Sequence, residues 1–139
     1  MRNTMFCLIA VLVSGCGSGC NNNIYPVSGK VTYKGSPASG ATVFFYRQGV
    51  DPMNEHMIMG IVKEDGSFEL VCGSLGEGAP PGEYDVVIEW KQVSGQSNGH
   101  PRHGPDKFQG RYADPKHPRI HAAIAAKRND LAPFDLTDE

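Results

Sequence analysis

Apolar and polar residues alternate along most of the chain beyond residue 26, and the period is two. That period predicts β-strands rather than helices. Val27–Gly35 carries Val27, Val31 and Tyr33 on alternate positions and runs into "KGSPASG", with Pro37 and Gly40 as turn residues. Ala41–Arg47, "ATVFFYR", is β-branched and aromatic and predicts a buried strand. His56–Lys63 predicts a third strand, with Met57 and Met59 sharing the face expected to meet the core. Glu64–Ser67 holds Asp65-Gly66, a hairpin signal, and Phe68–Cys72 follows with Phe68, Leu70 and Cys72 on one side. Glu83–Trp90 alternates most cleanly: Tyr84, Val86, Ile88 and Trp90 face one way, Glu83, Asp85 and Glu89 the other.

The next stretch, "KQVSGQSNGHPRHGP", is polar and rich in Gly, Asn and His, which predicts a long exposed loop. Arg119–Asp130 is ambiguous. Its four alanines suit a helix, yet Ile120, Ala122, Ile124 and Ala126 alternate. A strand is the better assignment, because Asn129-Asp130 then turns the chain into a last strand at Leu131–Leu136. Pro133 places that strand at an edge or a bulge. Seven short strands predict an all-β fold, a seven-stranded antiparallel β-sandwich of transthyretin-like or Ig-like type over residues 26–139.

Composition agrees. The 139 residues include 17 Gly and 10 Pro, which punctuate short strands, and the hydrophobic fraction of 40% is enough for one packed core. The net charge of −2 and the lack of a basic stripe argue against a nucleic-acid partner. Of the four cysteines, Cys7, Cys16 and Cys20 crowd the first twenty residues, and Cys72 lies within a predicted strand.

The first fifteen residues read as an address. Arg2 precedes "FCLIAVLV" (Phe6–Val13), an apolar run of eight, too short to span a bilayer but suited to the core of a secretory signal. The run ends in "VSGC", and Val13, Ser14, Gly15 and Cys16 resemble a bacterial lipobox, with Val in place of the commoner Leu. The resemblance implies cleavage before Cys16, a diacylglycerol thioether on its sulfur and acylation of its new N-terminus. It implies a cell-envelope protein held on the membrane by lipid, on the periplasmic or outer-membrane side. An ordinary cleaved signal and a buried N-terminal strand are the alternatives. Residues 16–25 would then be a polar tether. Exported thiols invite pairing, so Cys20 and Cys72 form a candidate disulfide, with Cys72 as a plain core residue the alternative.

"PVSGKVTYKGSPASGATVFF" resembles the opening of carboxypeptidase regulatory-like, transthyretin-like domains. Val27, Gly29 and Val31 match V-x-G-x-V, and Gly35, Pro37, Gly40 and Ala41 match the turn and strand after it. Asp65, Gly66 and Phe68 resemble the family's hairpin with tightened spacing, and "PPGEYDVVI" its P-G-x-Y-x-V strand. Asp106–Pro118 resembles a segment of small bacterial lipoproteins of this kind. The resemblance implies the same β-sandwich, and the matched residues are scaffold residues, none of them a plausible catalyst. The family's purine-breakdown hydrolase motif, Tyr-Arg-Gly-Ser, is absent from this chain, which ends "FDLTDE".

Candidate chemistry is thin. His100, His103, His117 and His121, or Met53, His56, Met57 and Met59, could in principle serve a metal, the second group copper. Loop composition and core packing account for both, so no metal and no cofactor are expected. Arg111, Tyr112 and Asp114 in "RYADP" form a candidate partner-contact loop; the alternative is a loop tied down by Tyr112 packing and an Asp114 turn. The expectation is a non-catalytic, lipid-anchored envelope protein acting as a structural or protein-binding module. The partners expected are the membrane, through the N-terminal lipid, and another envelope protein or a glycan. Contact would fall on sheet edges or on residues 91–110. A carbohydrate-binding module is the alternative, then a small hydrolase or metal-binding protein.

Overall fold

The computed structural model describes residues 23–139, so the signal, the lipobox and Cys20 lie outside the described residues. Thirteen strand segments follow one another. They are β1 (Val27–Tyr33), β2 (Ser36–Pro37), β3 (Thr42–Arg47), β4 (Ile58–Ile61), β5 (Ser67–Glu69), β6 (Val71–Cys72) and β7 (Gly76–Glu77). Then come β8 (Gly82–Glu89), β9 (Lys91–Ser97), β10 (His100–Asp106), β11 (Ile120–Ile124), β12 (Asn129–Asp130) and β13 (Phe134–Leu136). A 3-10 turn at Pro52–Asn54 is capped by Asp51, whose carboxylate accepts the Met53 amide at 3.0 Å. No helix among the described residues is long and apolar enough to cross a membrane.

Two sheets form the sandwich. The larger runs β11-β8-β3-β4-β6-β7, antiparallel throughout. The smaller centres on β1, with β5 and β2 antiparallel along one side. Along the other side lie β12 and β13, both parallel to β1. The alternation in β8 works as its pattern predicts: Tyr84, Val86 and Ile88 are buried against Val31, Phe68 and Leu70 of the facing layer. Phe45 links the layers, 5.9 Å from the Tyr84 ring and 6.4 Å from the Phe68 ring. Each such side chain contributes about 1.5–3 kcal/mol by leaving water.

Two glycines allow the sheets to close. A Cβ on Gly29 would sit 2.6 Å from the Phe68 ring, so the ring fills the space that any side chain would take. A Cβ on Gly60 would sit 2.7 Å from the Glu69 carbonyl, where the chain passes over β4 on its way from β5 in one sheet to β6 in the other.

Several expectations are corrected. Residues 91–106 are not a loop but a β-hairpin, β9–β10, closed at Asn98-Gly99 with both φ positive. That is the geometry of a type I′ turn. The third strand faces opposite to expectation: Ile58, Gly60 and Val62 point inward, and Met57, at 63% exposure, points to solvent. Apolar residues fill both parities there, so alternation could not choose. The close approach at Gly60 and the β-branched Ile58 and Val62 decide it. Asp65-Gly66 does make a turn, with the Gly66 amide on the Lys63 carbonyl at 2.9 Å, but its two arms part into different sheets. Asn129 is not a turn residue. It is buried in β12, and its amide side chain bonds the backbone of Ala125 and Lys127. The alternation at 120–124 does form a strand, and Ala126 falls outside it.

Candidate functional site

Strand register gives the sandwich two distinguishable ends. At one end Arg47 lies opposite Tyr84, Phe45 opposite Ile58, and Cys72 opposite both Ile58 and Gly76. The chain enters here: Tyr25 exchanges backbone hydrogen bonds with Ala79 at 2.9 and 3.0 Å, and Ile24 lies beside Gly76. At the other end Thr42 lies opposite Glu89 and Ile61, and the β9–β10 hairpin leaves the body.

The hairpin is held at its base and free beyond it. Asp106 takes three backbone amides: Trp90 at 2.8 Å and Phe108 at 3.2 Å on one oxygen, Gly110 at 3.0 Å on the other. Trp90 packs edge-on to Tyr33 and tilted to Phe108, its Nε1 donates to the Ser39 carbonyl at 2.9 Å, and Lys107 Nζ sits 3.9 Å over its ring. β9 is exposed along its whole length and β10 along most of it. Pro101, Pro105 and two register shifts blunt the ribbon's edges against indiscriminate pairing.

The chain-entry end carries a small cleft of about 160 Å³ lined by Arg47, Glu55, His56 and Met57. Arg47 pairs with Glu55 at 3.3 Å, and its Nε is buried without a partner among the described residues. The Tyr84 hydroxyl donates to the Pro80 carbonyl at 2.8 Å. Burial pushes up both the Tyr84 phenol and the Cys72 thiol. Both groups therefore stay protonated at neutral pH, and the carboxylate is occupied by the guanidinium. That set is suited to holding the loop 48–57 in place and ill suited to supplying a nucleophile.

The outer face of the larger sheet departs from the usual polar covering. Opposed residues of antiparallel strands share a face, so Val71, Met59, Phe44 and Val87 form one registered apolar row across β6, β4, β3 and β8. Ile61, at 61% exposure, and Met57 flank it. A shallow depression of about 420 Å³ lies over β4 and β6.

No family model matches the chain, and no curated protein matches it. Two solved structures are similar in outline. One is a DUF3823 family protein from Parabacteroides merdae ATCC 43184, at 14% identity and a TM-score of 0.40, covering 80% of this chain and 44% of that one. The other is a 9R-lipoxygenase from Cyanothece PCC8801, at 12% identity and a TM-score of 0.45, covering 81% of this chain and 16% of that one. The chain thus spans less than half the length of either.

The residues singled out in the sequence end up dispersed. His100 and His103 ride on the hairpin, His117 pairs with Asp114 at 2.8 Å, and His121 pairs with Asp85 at 2.8 Å on the outer face of β8 and β11. Among the described residues no three His, Cys, Asp or Glu side chains converge on a metal position. Cys72 is 1% exposed in the core and has no disulfide partner among the described residues; its candidate partner Cys20 lies outside them. Arg111 and Tyr112 are turned toward their own chain. The Tyr112 hydroxyl exchanges hydrogen bonds with the Thr137 backbone, and Arg111 reaches the Thr137 carbonyl and Asp138. Asp114 bonds the Lys116 amide and His117. Sequence reasoning missed Asp106 and the outer apolar row. The Asp106 bonds to Phe108 and Gly110 are a local Asx turn, but its bond to Trp90 and the apolar row exist only once strand partners and facing are known.

Proposed function

We propose that the chain is a lipid-anchored module of the cell envelope, held at Cys16, which works by presenting the β9–β10 hairpin to a protein partner and carries out no reaction. The observation that carries this reading is the placement of the hairpin at the end of the sandwich opposite the chain's entry. A tether from Cys16 would enter at one end, and a firmly based, exposed ribbon would stand at the other, clear of the tether. The β9 edge, which lacks the prolines of β10, suits docking by strand pairing. We also propose kinship with carboxypeptidase regulatory-like domains, supported by Gly29: the V-x-G-x-V position is where the Phe68 ring leaves no room for a Cβ. Sugar binding is less well supported, because the face of the single tryptophan is covered by Lys107 and its edges are packed.

Two measurements test the reading. Metabolic labelling with an alkyne fatty acid should mark the full chain and be lost in Cys16→Ala; a label that survives the substitution removes the anchor. A photo-crosslinker at Gln96, in envelope membranes, should give one discrete protein adduct that a crosslinker at Lys30 does not. Identical adduct patterns from both positions would reject the hairpin as the docking element.

A further inference from the structure

Six of the seven large, exposed apolar residues among the described ones fall between positions 50 and 75; Val93 on the hairpin is the seventh. Three of the six, Met57, Ile61 and Val71, stand beside the Met59–Phe44 step of the registered row. Val87, at the β8 end of the row, is buried, and the Val71–Met59–Phe44 part is therefore the centre of a continuous apolar area on one sheet face, not a scatter of single exposures. We propose that this outer face is a lipid-contact surface and seats on the same bilayer that Cys16 anchors; the inference rests on the anchor proposed above.

Position supports it. Ile24 lies beside Gly76 of β7, and β4 is two strands further along the same sheet, about 10 Å at the usual strand spacing. Eight residues separate Cys16 from Ile24, a reach of at most about 29 Å. The anchor thus keeps the bilayer within range of this face whichever path the chain takes. Size argues for lipid over protein. A handful of side chains falls short of the ~800 Å² that each partner contributes to a stable protein interface. A weak lipid contact suffices, because tethering already supplies an effective concentration near the millimolar range. The chemistry is also compatible. Methionines adapt to irregular apolar surroundings. Two carboxylates border the face, Glu69, paired with Lys63 at 2.8 Å, and Glu77, opposite Val71 in the same row, so a zwitterionic surface suits it better than an anionic one. Seating this face leaves the smaller sheet toward water.

The test uses the full-length lipoprotein in vesicles of phosphatidylcholine or of its brominated analogue. Met59→Trp and Ile61→Trp report from the face, Gln96→Trp from the hairpin, each read against the parent's Trp90 emission. Either face reporter should lose about half of its added emission in brominated vesicles, as expected for a side chain ~5–10 Å into the headgroup–acyl boundary. The hairpin reporter should not change. Fatty-acid labelling of the same preparation separates the two claims. Labelled protein with unquenched face reporters overturns the docking and leaves the anchor. Face reporters that are blue-shifted yet unquenched overturn it in favour of a protein cover. Unlabelled protein removes the anchor and the docking together.

Discussion

At Gly29 a hydrogen atom is all that the Phe68 ring tolerates. The ring is fully buried and stacks 6.0 Å from Phe134, so it cannot swing aside without opening the core. Gly29→Ala should therefore cost about 1–3 kcal/mol as an overpacking change. Urea denaturation would show a lower midpoint with an unaltered slope; a midpoint equal to the parent's would mean that the ring yields freely. Asp106 is the second residue with a disproportionate role. Asp106→Ala strips the acceptor from three amides at a partly buried corner, where each unpaired group costs ~1–3 kcal/mol. Amide exchange at Trp90, Phe108 and Gly110 should quicken well before exchange in β8, because the damage is confined to the hairpin base. Uniform acceleration across the domain would contradict that confinement.

Among the elements, the hairpin buries little of itself against the body. Replacing residues 94–102 by Asn-Gly joins Val93 to its partner His103 through a two-residue turn. Because surface changes of this kind stay within ~0.5 kcal/mol, calorimetry should find Tm within about 4 °C of the parent. A larger fall would show that the ribbon braces the body. The hairpin also marks how far local sequence could be read. Alternation was enough for β8 and β11, where one parity is apolar and the other mostly polar. It failed in β4, where both parities are apolar and the Glu69 carbonyl over Gly60, with the β-branched Ile58 and Val62, settles the facing. Of the two turn dipeptides, Asn98-Gly99 closes a true hairpin inside a stretch whose polarity suggested a loop. Asp65-Gly66 turns the chain between sheets, a distinction that lies in strand partners and not in the turn. Partner choice is likewise why neither the parallel pairing of β12 and β13 nor the apolar row was legible.

For the whole molecule, exposed carboxylates set the acid limit. Asp65 is held below the usual carboxylate range by the Ser67 hydroxyl and amide, Glu69 by Lys63, Asp114 by His117, and Asp138 by Lys34 and Tyr33. A depressed folded pKa contributes stability that is fully present above the unfolded value of ~4 and is lost as pH falls through the folded one. Tm should therefore be flat above pH ~5 and fall below pH ~4, less steeply in Asp65→Asn. A parent and variant with superimposable acid limbs would remove Asp65 from this account. The buried Cys72 thiol gives a second global readout. In native, non-reduced protein it should react with a thiol reagent only as fast as the domain unfolds. A Cys20–Cys72 disulfide would instead leave it unreactive even in denaturant.

The smaller sheet has one more implication, for the order in which the molecule can be made. One whole side of β1 is lined by β12 and β13, whose residues run from 129 to 136. A nascent chain therefore carries its first strand half-dressed until residue 136 has emerged. Thr32 then gains Asp135, and Tyr33 and Lys34 gain Asp138. Completion of this sheet waits for residues 129–136, and pairings this remote in sequence form slowly. A polypeptide whose first strand stays open until residues 129–136 arrive remains threadable through a narrow pore up to that point.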